Sequence, residues 1–391
     1  MPDDVRSTLT DVPFGVNEMR LSGRQWLAAL AIFLMIAAAL PHVWKRVERF
    51  ETYPDYRIPY ALSSDYWLYQ RRLDDLAQRG DDVLAIPVIG DSVVWGEYVL
   101  PGGTLTHFLN SGAGAKVRYA NCGVNGAFPL ALEGLIDHYG GSLHDRKVIL
   151  HYNVLWMSSP KADLSTKEEQ VFNHSELVPQ LFHPIPAYHA DAATRLNAIA
   201  ANKVGLFQWV NHVDSVYFDH LSIPAWTLEE DPADPQRWPN VYRSPLAQAK
   251  MRVPGEPASD PKRGPASPRH RPWTANGAHP TEFEWVALDH SLQWKAFQRT
   301  VAQLRARGND VFVIVGPFNE WMIAEDQRPQ YLAIRDGVSA WLTASNVPHV
   351  IPETLPSDLY ADASHPLTDG YALLAGRIAS DPEFKRWLGT K

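Results

Sequence analysis

Two short segments of the chain carry residue types that can transfer an acyl group. Ser92 follows the apolar run 83–89 and a Gly-Asp pair, where a buried strand would give way to a helix. A serine in such a turn exposes its hydroxyl, and the first turn of a helix offers unpaired N–H groups to a developing negative charge. Far along the chain, His365 follows Asp362 by three residues. The sequence therefore predicts a serine nucleophile with a histidine base and an aspartate.

The expected roles of these residues follow from their acid–base chemistry. A serine hydroxyl is a weak nucleophile at neutral pH unless a base within hydrogen-bond reach removes its proton. Histidine suits that role because its ordinary pKa lies near neutral pH. We expect His365 to act as general base on Ser92, and Asp362 to hold the imidazole in the required tautomer. Asp91 is expected to accept backbone N–H bonds in the turn. The alternatives are that Ser92 only caps a helix and that His365 is a surface residue.

Five apolar runs alternate with helical patterns along most of the chain. They lie at 83–89, 117–122, 148–152, 311–315 and 349–351. Strands that alternate with helices predict a parallel sheet with right-handed crossovers. The expected fold class is α/β, with a flavodoxin-like, doubly wound and mainly parallel five-stranded sheet. Ligands of such sheets bind at the carboxyl ends of the strands.

Glycine or amide residues follow three of these runs. A glycine-bearing turn at 123–127 follows the second run, Asn153 follows the third, and Asn319 and Glu320 follow the fourth. Because the carboxyl ends of parallel strands meet at one edge of a sheet, we expect these segments to share a crevice with Ser92. Asn319 and Glu320 are predicted to line it for substrate, and a purely structural role in the turn is their alternative.

The regular alternation stops between the third and fourth strands. Eleven prolines fall within 231–280, and proline lacks an N–H donor and disfavours helix at the preceding residue. Residues 157–288 are therefore interpreted as an insertion, either a cover over the substrate or a disordered surface excursion. The predicted organisation is a tail at 1–24, an anchor at 25–44, a linker and helix at 45–81, the insertion at 157–288, and a domain formed by 82–156 and 289–391.

An uncharged stretch, 25–44, lies between Arg24 and Lys45. A helix of about 20 apolar residues can cross a bilayer, and Trp26 and Trp44 at the two ends fit the interfacial positions that indole favours. Because 24 residues with four acidic side chains precede the stretch, we predict an uncleaved single-pass anchor, with a cleavable signal peptide as the alternative. Three basic residues precede the stretch and three follow it closely, so charge alone does not assign the orientation.

Composition restricts the other classes of function. The formal net charge of −8, with no basic block, argues against a nucleic-acid partner. The single cysteine, Cys122, excludes an internal disulfide and is expected to be a small buried residue. His270, His279 and His290 lack the spacing of metal ligands. We therefore expect no metal and no cofactor.

Taken together, these motifs resemble the SGNH (GDSL) hydrolase superfamily of esterases and lipases, in its membrane-anchored envelope form. The resemblance covers about 82–155 and 309–380. It implies that Ser92 is the nucleophile, and that the N–H groups of Ser92 and Gly126 and the side-chain amide of Asn153 form the oxyanion hole. The family often has Gly-x-Asn-Asp at the third block, whereas Val154 follows Asn153 here.

The resemblance also implies a function and a location. It suggests an ester hydrolase or O-acyltransferase that forms an acyl-Ser92 intermediate, acting on acetyl or other acyl esters of an extracytoplasmic polysaccharide. Similar envelope proteins, among them the D-alanyl-transfer protein of teichoic acid synthesis, suggest a place in the inner (cytoplasmic) membrane with the domain outside, and a multipass membrane acyltransferase as partner. The other function considered is a non-catalytic SGNH-fold binding or scaffold protein in an envelope polysaccharide assembly.

Aromatic residues of the insertion offer one further expectation. Indole rings can stack on sugar rings, and four tryptophans lie in or near the proline-rich stretch: Trp226, Trp238, Trp273 and Trp285. Packing in the core or in loops is their alternative role.

Overall fold

The computed structural model describes residues 22–51, 57–78, 84–114, 117–178, 185–218, 249–255, 259–260, 264–265, 271–277 and 279–389. The chain divides into two compact units, Met1–Val47 and Glu48–Lys391. In the first, helix α1 spans Gly23–Val47 and is long and apolar enough to cross a membrane. Its length and composition fit a single membrane span and a signal sequence equally.

The second unit is built on a sheet of five parallel strands. They are β1 (Leu84–Gly90), β2 (Val117–Gly123), β3 (Lys147–Tyr152), β4 (Asp310–Val315) and β5 (His349–Val350). Their order across the sheet is β2-β1-β3-β4-β5, and every pairing is parallel. This confirms the predicted α/β class and five parallel strands, and the order is consistent with a flavodoxin-like fold.

Helices cover both faces of the sheet. In chain order they are α2 (Tyr66–Gln78), α3 (Ser92–Trp95), α4 (Leu105–Gly112), α5 (Pro129–Tyr139), α6 (Ala192–Lys203), α7 (Gly205–Tyr217), α8 (Leu292–Ala306), α9 (Arg328–Ala344), α10 (Thr368–Ser380) and α11 (Pro382–Leu388). The apolar residues of α2, α5, α8 and α9 pack in one core, and those of α4, α10 and α11 pack in the other.

The strand sequences explain why there are two cores. Successive side chains of a strand point to opposite faces, and both faces of this sheet are covered. In β3, Val148 and Leu150 belong to the first core while Ile149 belongs to the second. Burying both faces requires nearly continuous apolar runs, which is the pattern from which the strands were predicted.

The insertion between β3 and β4 contains ordered helices. They are α6 and α7, which precede the proline-rich stretch. Much of the proline-rich stretch, together with Trp226 and Trp238, lies outside the described residues. The segments Ser259–Asp260 and Gly264–Pro265 pair as two short antiparallel strands.

A buried charged cluster joins helix α7 to the start of the second unit. The imidazole of His212 is fully buried, with Nδ1 2.8 Å from an oxygen of Asp65 and Nε2 2.9 Å from an oxygen of Glu48. Glu48 also accepts hydrogen bonds from Arg71 and from the Tyr217 hydroxyl. Buried charges are tolerated when they are paired in this way, so the cluster attaches the insertion to the segment that precedes the sheet.

Candidate active site

Ser92 lies at the carboxyl edge of the sheet, on the first turn after β1. It is the first residue of the short helix α3, and Asp91 is the N-cap, whose carboxylate accepts a hydrogen bond from the N–H of Val93 at 2.9 Å. This confirms the expected structural role of Asp91. An aspartate at this position ends the strand and starts the helix, because its carboxylate satisfies an N–H that would otherwise be unpaired.

The turn packs unusually close to the end of β2. A Cβ added to Gly123 would lie 2.2 Å from the backbone nitrogen of Trp95, so the close approach of helix α3 requires glycine at this position. The amide of Asn121 donates to the carbonyl of Val94 at 2.8 Å and secures the same contact. The position of the serine turn is therefore defined by the neighbouring strand as well as by its own.

The three residues predicted for acid–base chemistry come together. Nε2 of His365 lies 2.7 Å from Oγ of Ser92, although 273 positions separate the two residues. Nδ1 of His365 lies 2.8 Å from one carboxylate oxygen of Asp362 and 2.9 Å from the other. Asp362 also accepts hydrogen bonds from the backbone N–H groups of Ser364 and His365, each at 2.9 Å. These contacts form one continuous hydrogen-bonded chain from carboxylate to hydroxyl.

The electrostatics of this chain favour a basic histidine. Burial would lower the pKa of the His365 imidazole, but the hydrogen bond and negative charge of Asp362, with the charges of Glu97 and Asp91, raise it above 6.5. Burial would raise the pKa of the Asp362 carboxyl, but the hydrogen bond and charge of His365 and the two backbone N–H groups hold it below 3.8. Asp362 is therefore ionised at neutral pH and able to hold a proton on Nδ1.

Asn153 lies at the end of β3, beside the serine turn. Its side-chain nitrogen donates to Asp91 at 2.9 Å, and its oxygen accepts from the N–H of Leu155 at 3.0 Å. The indole N–H of Trp156 donates to the same oxygen of Asp91 at 3.1 Å. An amide nitrogen carries two hydrogens, and the bond to Asp91 uses one of them. The predicted oxyanion donor thus also links the nucleophile turn to β3.

His151 is a further neighbour of Asp91. It is fully buried, with Nε2 2.9 Å from the carbonyl oxygen of Gly316 and Nδ1 3.2 Å from Asp91. Burial would raise the pKa of the Asp91 carboxyl, but His151, Asn153 and the charge of His365 hold it below 3.8. Asp91 is therefore an ionised, buried anchor of the turn.

Gly126, the predicted oxyanion glycine, lies in the turn after β2 with φ of 78°, in the left-handed region that favours glycine. A Cβ at this position would lie 2.4 Å from the side-chain nitrogen of Asn173. His174 contacts the same turn, with Nε2 2.8 Å from the carbonyl oxygen of Asn125. The first part of the insertion therefore lies against the turn predicted to hold the oxyanion.

Asn319 and Glu320, which were predicted to line the crevice for substrate, are each held by hydrogen bonds within the protein. Asn319 is fully buried, its N–H donates to the carbonyl of Ala363 at 2.8 Å, and its amide donates to the carbonyl of Asp362 at 3.1 Å. It therefore supports the loop that carries Asp362 and His365, which we call the histidine loop. Glu320 accepts hydrogen bonds from Tyr331 at 3.1 Å and Arg335 at 3.2 Å, and lies on a cleft with residues of α9.

Two residues near His365 were missed by the sequence analysis. Glu97 lies just after α3, with one carboxylate oxygen 3.7 Å from Nε2 of His365. The ring of Tyr98 meets the imidazole edge to face, with centroids 5.3 Å apart. Their position a few residues after Ser92 in the sequence pointed to a place near the nucleophile. The turn that directs them towards His365 is visible only in the structure.

Two of the four tryptophans that were expected to stack on sugar rings, Trp273 and Trp285, lie in the described part of the chain. Both are held by contacts within the protein. The indole N–H of Trp273 donates to the carbonyl of Ser357 at 2.8 Å. Trp285 packs in an aromatic group with Phe283 and Phe318, at centroid distances of 4.9 and 5.7 Å. These contacts fit the packing alternative.

Comparisons of the sequence with known proteins found no match. No protein-family model matches the chain, and no curated protein matches it significantly in sequence. Over the described parts of the chain, no group of three or more His, Cys, Asp or Glu side chains is arranged to hold a metal ion. The chemistry available to the site is therefore that of Ser92, His365 and Asp362.

Proposed function

We propose that this protein is a serine esterase or O-acyltransferase of the SGNH type, which acts through an acyl-Ser92 intermediate. The observation that carries the proposal is the hydrogen-bonded chain from Asp362 through His365 to Ser92, with contacts of 2.8 and 2.7 Å. A serine activated by a histidine that is itself oriented by a carboxylate is the arrangement used in acyl transfer on several unrelated folds.

In the first half of the reaction, Oγ of Ser92 attacks the carbonyl carbon of an ester and its proton passes to Nε2 of His365. The carbonyl oxygen becomes an oxyanion, for which the N–H groups of Ser92 and Gly126 and the amide of Asn153 are the proposed donors. As the carbon–oxygen bond to the leaving alcohol breaks, His365 returns the proton to that alcohol. The acyl group remains on Ser92.

In the second half, water or an acceptor alcohol attacks the acyl-enzyme. The attacking O–H gives its proton to Nε2 of His365, and the new carbon–oxygen bond forms as the bond to Oγ of Ser92 breaks. The proton then passes to Oγ and restores the hydroxyl. Hydrolysis and transfer differ only in which hydroxyl is bound at this stage.

The proposed substrates are acetyl or other acyl esters of an extracytoplasmic polysaccharide. The apolar helix α1 supports this assignment, since it is long enough to hold the chain at a membrane as a single-pass anchor. The proposal places the enzyme in the cytoplasmic membrane with its catalytic unit outside, and a multipass membrane acyltransferase as its partner and donor of acyl groups.

A serine-directed fluorophosphonate probe tests the proposal on the full chain in detergent micelles. We expect labelling of the wild type and of Ser111→Ala, a control at an exposed serine of α4, but not of Ser92→Ala. Wild-type protein that has not met the probe should also hydrolyse short-chain nitrophenyl esters, and labelling should abolish that activity. Equal labelling of wild type and Ser92→Ala would contradict the proposal. No labelling of a folded wild type would instead favour the binding or scaffold function.

A further inference from the structure

The turn after α3 brings a second carboxylate to the base. One oxygen of Glu97 lies 3.7 Å from Nε2 of His365, and the Glu97 side chain is only 13% exposed. Asp362 lies against the other ring nitrogen at 2.8 Å. The imidazole therefore has a carboxylate beside each of its two nitrogens, whereas the proposed mechanism gives a role to only one of them.

The backbone of this turn is in an uncommon conformation. Gly96 and Tyr98, on either side of Glu97, have φ of 89° and 68°, and Tyr98 carries a bulky side chain in the left-handed region. The N–H of Glu97 donates to the carbonyl of Ser92 at 3.0 Å, so the turn folds back on the nucleophile. Strained residues persist where the surrounding structure holds them, and they cluster at functional sites.

A buried arginine holds the turn from the outside. The guanidinium of Arg57 lies 4.0 Å from the ring centroid of Trp95 and donates to the carbonyls of Trp95 and Gly96. With the edge-to-face contact between Tyr98 and His365, these contacts hold the residues on either side of Glu97. Glu97 is thus placed by the fold beside the base.

The other charged and titratable groups around His365 come from three elements. Asp362 is on its own loop, Asp91 is at the end of β1 with His151 beside it, and Tyr371 is on α10, with its hydroxyl donating to the carbonyl of Val93 at 2.8 Å. Burial raises the pKa of Tyr371 well above 10, so this residue stays neutral. Of the carboxylates described around His365, Glu97 lies on the Nε2 side of the imidazole and Asp362 on the Nδ1 side.

We propose that Glu97 is a positioning residue that strengthens His365 as a base during attack on the acyl-enzyme. At 3.7 Å it is beyond a good hydrogen bond and acts through its charge. Once Ser92 carries the acyl group, its oxygen has no proton to share with Nε2. The Glu97 carboxylate then stabilises the imidazolium that forms when the acceptor O–H transfers its proton to Nε2.

This inference rests on the acyl-Ser92 mechanism, and it predicts a specific change in pH dependence. Glu97→Gln keeps the shape and removes the charge, so His365 should become harder to protonate. On the acidic limb of the pH profile, kcat/KM divided by its plateau value should be about tenfold higher in Glu97→Gln than in the wild type at the same pH. Deacylation at the plateau should slow roughly threefold, because a weaker base removes the acceptor proton less readily. Glu97→Asp keeps the charge and should stay close to wild type.

The titration of His365 provides a readout that does not need activity. In the full chain in detergent micelles, NMR of ¹³C-labelled histidine follows the imidazole signal that disappears in His365→Gln. Its midpoint should fall in Glu97→Gln and stay unchanged in Glu325→Gln, a control at an exposed glutamate. A midpoint equal to that of wild type in Glu97→Gln would overturn the inference. A lowered midpoint in a protein that the fluorophosphonate does not label would show that the acyl-enzyme proposal has failed while the charge coupling holds.

Discussion

The amide of Asn153 donates a hydrogen bond to the carboxylate of Asp91 across 2.9 Å, and so connects the end of β3 to the turn that carries the nucleophile. Asp91 in turn caps helix α3, whose first residue is Ser92. The position of the serine therefore depends on an amide from the neighbouring strand. Asn153 has both this structural contact and the proposed role as an oxyanion donor.

Replacing Asn153 by alanine should reduce both stability and catalysis. The change leaves the buried, ionised Asp91 with one donor fewer, at a cost of about 1–3 kcal/mol in the free energy of unfolding. Loss of an oxyanion donor should lower kcat by a further ~10²–10³-fold. Urea unfolding and ester turnover, measured on the same protein, separate the two effects. A large loss of stability with unchanged kcat would restrict Asn153 to the structural contact.

Replacing Asp362 by asparagine should affect the tautomer of His365 and leave the fold intact. The carboxylate accepts a hydrogen bond at Nδ1, and an amide can present a donor there instead, which favours the wrong tautomer. We expect kcat to fall about 10⁴-fold, as in serine triads generally. Asp358→Asn, at an exposed residue of the preceding turn, is the control and should retain wild-type turnover. A fall below tenfold would remove Asp362 from the mechanism.

The buried cluster around His212 should make stability depend on pH. Burial would lower the pKa of His212, but Asp65 and Glu48 raise it to about 9 from 6.5. Because the folded-state pKa is the higher one, the stabilisation is fully present below pH 6.5 and is lost as the pH rises through about 9. His212→Gln should therefore lower the free energy of unfolding by about 3 kcal/mol at pH 6 and by clearly less at pH 10.

Urea unfolding followed by tryptophan fluorescence at the two pH values checks this difference. His290→Gln is a suitable control because the side chain of His290 is 81% exposed. The stabilisation by the cluster is also lost at low pH. The pKa of the Glu48 carboxyl is held under 4.5, and its contribution to stability is lost as the pH falls through the folded-state pKa. A constant effect of His212→Gln from pH 6 to pH 10 would mean that His212 is not charged in the folded protein.

Cys122 should resist thiol reagents in the folded protein. It lies in β2 with 2% of its surface exposed, and burial raises the pKa of its thiol to about 11. Because the thiolate is the reactive form, its reaction with Ellman's reagent at pH 8 should be at least about a hundredfold slower than in denaturant. Release of the chromophore at equal rates in the two conditions would show that the strand is not buried as described.

The sequence alone determined the strands and the residues at their ends. Burying both faces of a sheet requires nearly continuous apolar runs, and these runs marked all five strands to within about a residue at each end. Because parallel strands share one carboxyl edge, chain order was enough to expect Ser92 and His365 as neighbours, and the structure places them 2.7 Å apart.

The tertiary structure alone decided where individual side chains point. Asn319 lies behind the histidine loop, Asn173 of the insertion lies against Gly126, and Glu97 faces Nε2 of His365. Each of these depends on a turn conformation, or on packing between segments far apart in sequence. Such contacts carry no local pattern of residues, because periodicity records which face is buried and not which partner covers it.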